Sequence, residues 1–269
     1  MTDSVIIRLQ GGLGNQLFQY AAGLSIAKET GGELWLNTAE LNKHTNQDYI
    51  KRYYTRSKAI GIDGKPNKTS SVIRQKNAFE KWNPSSYKDK DVITLLGYYQ
   101  YLPAIKSEVE VICKDIIEHL SDTRSRLREK YSIQDAKQFC FLHIRRGDYL
   151  NHPNIHHLQD EIYYKNGINY INGQLKKNIQ WIVLSDDIKW CKNQEWLQSD
   201  IFTIVNEPNE LDGLMLMSLC EGGAIIANST YSWWGANLGC VQVNAPVVYP
   251  LKWIRNDKPD LFLDNWKGF

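Results

Sequence analysis

The spacing of apolar positions changes along the chain, and each change marks an element. Val5-Ile6-Ile7 is a short continuous apolar run of the kind made by a strand covered on both faces. It breaks on Gly11, Gly12 and Gly14, after which Leu17, Phe18, Ala21, Ala22 and Ile26 recur at helical spacing. That pattern predicts a helix starting near Asn15. Residues 33–36 predict a second strand. From 38 to 90 the periodicity gives way to polar, irregular stretches (NKHTNQDY, DGKPNKTSS, KWNPSSYKDKD), in which Tyr49, Tyr53, Tyr54, Phe79 and Trp82 argue against disorder. Polar insertions between core elements are often where a substrate is recognised. Residues 92–96 read as a central strand, Ile105, Val109, Ile112, Ile116 and Leu120 predict helical segments between 103 and 131, and 132–138 reads as a hinge.

Beyond the hinge the pattern is regular. Strand FCFLHI is followed by a loop, a helix over 161–177, strand WIVLS, a helix over 187–196 and strand IFTIV. A helix over 210–220, strand GAIIA, a Ser/Thr turn, a helix from about Trp233 and strand VVY complete it. Such alternation predicts a parallel sheet with helices on both faces, and hence an α/β chain of two domains, 1–135 and 136–269. In open parallel sheets, ligands bind beyond the carboxyl ends of the strands. Three segments rich in reactive side chains sit there: HIRRGDY (143–149), LSDD (184–187) and NSTYSWWGA (228–236).

Composition narrows the function classes. Lys+Arg 32 against Asp+Glu 30 gives a net charge of +2, so there is no basic field for a nucleic acid. The five cysteines are scattered, odd in number and free of any C-x-x-C pair, which argues against a disulfide framework or a zinc site and fits a reducing compartment. The chain enters a strand within five residues and has no apolar run of membrane-span length, so a soluble cytoplasmic protein is expected. His152, His156 and His157 lie in a Pro-containing loop where no helical ligand pair forms, and they read as surface or acceptor-side residues. Asp89-Lys90-Asp91 precedes its strand instead of following it and reads as a solvated turn. No metal site is expected.

The glycine turn admits two readings. Gly11, Gly12 and Gly14 permit positive φ and close approach of a ligand to the first free N–H groups of the helix, a setting that favours anions. A tight strand-to-helix turn of any α/β fold explains the same residues. The dinucleotide fingerprint fails, because Leu17 stands where its third glycine should be and the second strand ends in Asn37 instead of an acid. For HIRRGDY, adjacent arginines leave a strand in opposite directions, so one guanidinium fork faces a phosphate and the other pairs with Asp148; a structural salt bridge is the plainer alternative. In LSDD one Asp caps the following helix, or a free carboxylate accepts from a base edge. Asn228, Ser229, Thr230 and Ser232 offer more polar groups at a helix start than capping needs, and suit a phosphate. Trp233-Trp234 reads as helix-to-sheet packing.

Together GGLGNQLFQYA, HIRRGDY, LSDD and NSTYSWWGA, in that order over most of the chain, resemble glycosyltransferase family 11, the bacterial α-1,2-fucosyltransferases. Residues 38–90 carry no matching motif. The resemblance implies a GT-B fold, two Rossmann-like domains facing an interdomain cleft, with 1–135 on the acceptor side and 136–269 binding GDP-fucose. It implies inverting transfer of L-fucose to the 2-hydroxyl of a terminal galactose, with no cofactor and no metal. By the same resemblance Arg145 meets the β-phosphate, Asp186 and Asp187 read guanine, and Ser229, Thr230, Tyr231 and Ser232 hold the diphosphate. Gly12, Gly14, His143 and Asn228 complete the donor site, and Asn15 contacts the reacting end of the donor. Asp148 is the best-placed carboxylate for the catalytic base, but it lies so close to Arg145 and Arg146 that an ion pair would make it a weak one, leaving Arg-positioning as its other role. The implied partners are GDP-fucose and a galactose-terminated acceptor, with peripheral contact to a lipid-linked glycan and no nucleic acid. Transfer with another linkage, a nucleotide-sugar-modifying enzyme and a non-catalytic carbohydrate-binding protein are the alternatives; the last has no need for HIRRGDY.

Overall fold

The computed structural model of the chain describes residues 2–39, 41, 58–60, 70–134, 138–175, 178–254 and 259–269, with backbone alone for 58–60. Tyr49, Tyr53, Tyr54, most of the polar insertion and part of the expected hinge lie outside the described residues. The chain divides into two compact units, Met1–His119 with Pro259–Leu261, and Leu120–Lys258 with Phe262–Phe269.

The first unit holds β1 (Ser4–Arg8), α1 (Leu13–Thr30), β2 (Glu33–Asn37), β3 (Lys58–Ile60), β4 (Ser71–Arg74), β5 (Val92–Leu96) and α2 (Lys106–His119). Its strands form one sheet in the order β3-β2-β1-β5-β4, with every pairing parallel. The middle strand is β1; β5, expected as central, is interior beside it. Helix α1 starts at Leu13, earlier than expected, because Gly11 takes φ +77° and turns the chain so that Gln16 N–H already reaches the Gly12 carbonyl. It ends on Gly31 in the left-handed region, whose N–H bonds to the Ala27 carbonyl. The expected apolar stripe understates its burial. Gln16, Gln19 and Ser25 are buried along with Leu17, Phe18 and Ile26, since α2 and the short Pro84–Tyr87 turn also pack against the helix.

The second unit holds α3 (Ser121–Lys130), β6 (Gln138–Ile144), α4 (Glu161–Gln174), β7 (Ile179–Ser185), α5 (Ile188–Lys192), β8 (Phe202–Ile204), α6 (Glu210–Ser218), β9 (Gly223–Ile225), α7 (Thr230–Leu238), β10 (Val247–Tyr249) and β11 (Lys267–Gly268). These strands form a second all-parallel sheet in the order β11-β10-β9-β6-β7-β8. One face of its core is lined by Cys140, Leu142, Ile144, Trp181 and Val183 under the buried rings of Tyr163 and Tyr164. Trp233 and Trp234 are fully buried, in keeping with their packing role, and a side chain of this kind stabilises by about 1.5–3 kcal/mol when removed from water.

The two compact units divide between His119 and Leu120, where the expected domains divide at 135/136. Helix α3 belongs to the second unit because its basic residues find their acids there. Arg124 pairs with Glu221 at 2.6 Å and donates to the Ser218 carbonyl at 3.2 Å, Arg126 pairs with Asp212 at 2.7 Å, and Lys130 pairs with Glu207 at 2.5 Å. All four partners lie on α6 or beside it. The five cysteines are buried free thiols. Among the described residues no helix is long and apolar enough to cross a membrane.

Candidate active site

A parallel sheet that grows outward in both directions from an inner strand leaves a crevice where the winding reverses, beyond the carboxyl ends of the strands. In the second unit the chain runs β6-β7-β8 to one side and β9-β10-β11 to the other, so the reversal lies between β6 and β9. HIRRGDY leaves β6, LSDD leaves β7 and NSTYSWW follows β9. The three segments thus lie side by side, on adjacent strands at the switch point.

Arg145 sits at the centre. Its Nη2 reaches Asp148 Oδ1 at 2.6 Å and its Nη1 reaches Asp186 Oδ2 at 2.9 Å, with a third of the side chain exposed. Arg146 points elsewhere: Nε meets Asp187 Oδ2 at 3.1 Å, and the guanidinium lies 4.2 Å from the Trp190 ring centre. The two arginines diverge as expected for neighbours leaving a strand, but Asp148 pairs with Arg145 and not with Arg146. Trp190 and Asp187 already hold Arg146, leaving Arg145 beside the short helical turn that carries Asp148.

Both carboxylates of LSDD are engaged within the unit. Asp187 Oδ1 caps α5 by accepting from Trp190 N–H at 3.0 Å. Asp186 Oδ1 accepts from Arg146 N–H at 2.8 Å. Gly147 makes that approach possible, because a Cβ there would lie 2.5 Å from Asp186 Oδ2.

His143, at the end of β6, is buried; its Nδ1 has no hydrogen-bond partner among the described residues, and its ring meets the Tyr231 ring edge at 5.8 Å. Burial, with Arg145 adding to it, pushes the imidazole down to about 3, so it is neutral at physiological pH. Tyr231 donates to the Glu210 carbonyl and fills the space that Gly213 leaves open.

The polar turn before α7 divides. Ser229 and Thr230 are partly exposed at the helix start. Asn228 and Ser232, expected to present polar groups to a phosphate, are buried and turn inward. The Asn228 amide donates to the His157 and Trp253 carbonyls at 2.9 and 2.8 Å, and Ser232 Oγ reaches the Ser229 carbonyl at 3.3 Å. Among the expected surface histidines, His152 is exposed. His156 is half-buried, with its ring stacked 3.9 Å from Tyr149.

In the first unit the switch point lies between β1 and β5, and the glycine loop after β1 meets the loop after β5. Gly11 alone of the three expected glycines has positive φ; a Cβ there would lie 2.8 Å from Asn15 Nδ2. Gly12 faces open space, whereas Gly14 is buried in the first turn of α1. Sequence reasoning missed the amides that hold this loop. Gln16 Nε2 donates to the Gly11 carbonyl at 2.8 Å, while Gln19 accepts from Gln10 N–H at 2.9 Å and donates to the Gly97 carbonyl at 3.0 Å. Gln100 Nε2 donates to Asn15 Oδ1 at 3.0 Å. The β5 loop is strained as well, with fully buried Tyr99 at φ 54°. Two glutamines three apart, Gln16 and Gln19, among the apolar residues of the first turns of α1 are the available signal.

A model of glycosyl transferase family 11 matches residues 73–269. The chain belongs to glycosyltransferase family 11. It is 30% identical over 96% of its length to the O-antigen biosynthesis glycosyltransferase WbnK of Escherichia coli, covering 98% of that protein. It is 28% identical over 96% of its length to an alpha-1,2-colitosyltransferase of the same species, covering 95% of it. Among solved structures, POFUT1 in complex with GDP-fucose superposes with a TM-score of 0.54 at 13% identity, over 93% of this chain and 99% of that one. That likeness concerns the fold, and the expected GT-B class of two Rossmann-like units is the class of this chain. As a family member the chain is a glycosyltransferase.

Proposed function

We propose that the chain transfers L-fucose from GDP-fucose to the 2-hydroxyl of a terminal galactose, with inversion at the anomeric carbon and without a metal ion. The observation that carries this reading is the gathering of Arg145, the Asp186/Asp187 turn and the start of α7 on three adjacent strand ends at one switch point. A guanidinium fork and a helix N-terminus both favour a diphosphate. In the reaction the galactose oxygen forms a bond to fucose C1 as the bond from C1 to the phosphate oxygen breaks. The electron pair leaves on GDP, and its charge is met by Arg145 and the α7 start. Guanine is assigned to the Asp186/Asp187 turn, through carboxylate lone pairs that the internal bonds do not use.

The acceptor proton needs a destination. Asp148 is the nearest carboxylate by sequence, yet it is paired with Arg145 at 2.6 Å. The diphosphate and Asp148 therefore compete for one guanidinium, and a phosphate that takes Nη2 releases Asp148 to act as base. Asn15, an amide held by Gln100, has an orienting role and takes no proton. The proposed acceptor is a galactose-terminated glycan, lipid-linked and met peripherally. A second reading, transfer of a different deoxysugar, draws on the similarity to the colitosyltransferase.

The test is incubation with GDP-fucose and lactose in excess EDTA. The expected products are GDP and a fucosyl-lactose whose linkage NMR gives as α-1,2. Absence of both with EDTA, and their appearance on adding Mg or Mn, contradicts the metal-free step; absence of both under all conditions contradicts the assignment of substrate.

A further inference from the structure

Tyr149 ends the HIRRGDY segment and is 8% exposed. Its hydroxyl donates to the Asn228 main-chain carbonyl at 2.8 Å. Burial pushes the phenol up to about 12, so the proton stays on it and the bond persists across the working pH range. Asn228 lies on the other side of the switch point, immediately before Ser229 and the α7 start. The phenol thus joins the loop that carries Arg145 to the turn that begins α7.

Two rings and a cation complete the arrangement. The imidazole of His156 stacks on the Tyr149 ring at 3.9 Å with an interplanar angle of 5°. The Arg145 guanidinium carbon lies 5.4 Å from the same ring centre. His156 is itself tied down by an antiparallel bridge to Ile254, and the Asn228 amide holds the neighbouring His157 and Trp253 carbonyls, one on each bridged segment. Arg145 is therefore held by Asp148, by Asp186 and by the π face of a ring whose own position is fixed at both its hydroxyl and its face. A phosphate that displaces Asp148 removes one of those holds, whereas the ring remains.

We infer that Tyr149 is a positioning residue of the donor site, anchored on the Asn228 carbonyl and holding Arg145 in place for the diphosphate. This inference rests on the proposed donor role of Arg145. It assigns Tyr149 no contact with substrate and no proton transfer.

The experiment is a double-mutant cycle on GDP affinity, measured by calorimetry with GDP taken to millimolar concentration, for the parent chain, Tyr149→Phe, Arg145→Met and the double variant. Thermal melting is followed in parallel. Tyr149→Phe keeps the ring and removes one O–H, leaving the Asn228 carbonyl without that donor; GDP affinity should fall about tenfold. In the Arg145→Met background the same change should cost less than about twofold, because the residue it positions is gone. An equal loss in both backgrounds would mean a purely structural role and overturn the inference. So would parental GDP affinity in Tyr149→Phe, whatever its melting temperature. If the phenylalanine variant does not fold, His156→Ala, which keeps the phenol and removes the ring that fixes its face, takes its place in the cycle with the same two criteria. Failure of the parent chain to bind GDP removes the donor reading itself, an outcome distinct from a parent that binds GDP with Tyr149 uncoupled from Arg145.

Discussion

His143 ties stability to pH in a way that can be worked out from its surroundings. The side chain is buried beside Arg145 and Tyr231, and its imidazole is pushed down from 6.5 to about 3, chiefly by burial. The unfolded chain therefore takes up a proton between those values that the native chain does not. Where the unfolded state binds more protons, stability rises with pH, so this contribution is complete above about 6.5 and is lost as pH falls toward the native value. Each pH unit in that window corresponds to about 1.4 kcal/mol, so lowering the pH from 6.5 to about 5 should remove roughly 2 kcal/mol through this residue. The perturbation is His143→Phe, which keeps an aromatic ring in the site and removes the titration. Urea unfolding of both proteins at about pH 7.5, 6 and 5 gives the stability difference at each pH; every other group is common to both proteins and cancels. The parent should lose stability relative to the variant by roughly 2 kcal/mol between the two ends of that range. A difference that does not change with pH would refute the buried, neutral imidazole.

Other expectations concern the two glycine-bearing loops. Gly11→Ala should destabilise by about 1–2 kcal/mol in urea unfolding, because φ +77° and Asn15 Nδ2 at 2.8 Å both oppose a Cβ. Gly12→Ala, at φ −70° and facing open space, should leave stability within about 0.5 kcal/mol; if the loop meets a ligand, transfer activity falls without a change in melting. Gln19→Leu leaves Gln10 N–H and the Gly97 carbonyl without their partner and should cost about 2–4 kcal/mol by the same unfolding assay. Gly147→Ala drives a Cβ to 2.5 Å from Asp186 Oδ2 and should lower GDP affinity by about tenfold or more, with parental affinity arguing against a role for Asp186 in holding Arg145.

The sequence pattern marks most of the second unit, because strands covered on both faces leave continuous apolar runs. Phe139 to Ile144 and Trp181 to Ser185 are legible as strands from their apolar side chains alone. Helix ends are less legible. The α1 start depends on which of three glycines takes positive φ, and local composition does not decide that. The unit boundary escapes the pattern because α3 is amphiphilic mainly through charge: its basic residues look like solvent-facing groups until Glu207, Asp212 and Glu221 meet them across 77 to 97 residues of chain. At the site, the motifs locate Arg145, Asp186 and Asp187 but not their pairing. Adjacent polar residues in NST all suggest a ligand, although the inward turn of Asn228 and Ser232 depends in part on carbonyls far away in sequence. The roles of Tyr149 and Gln19 are hidden for the same reason, since their partners are 79 and 78 residues away.

Calorimetric titration of GDP into the parent chain and into Arg145→Lys, both in excess EDTA with UDP as the comparison nucleotide, tests whether the switch point of the second unit is a guanosine diphosphate site organised by one guanidinium. GDP should bind the parent without metal and in preference to UDP, and Arg145→Lys should weaken it by about tenfold or more, since a point charge does not replace a fork. GDP affinity unchanged by the substitution, or equal affinity for UDP, would contradict the assignment.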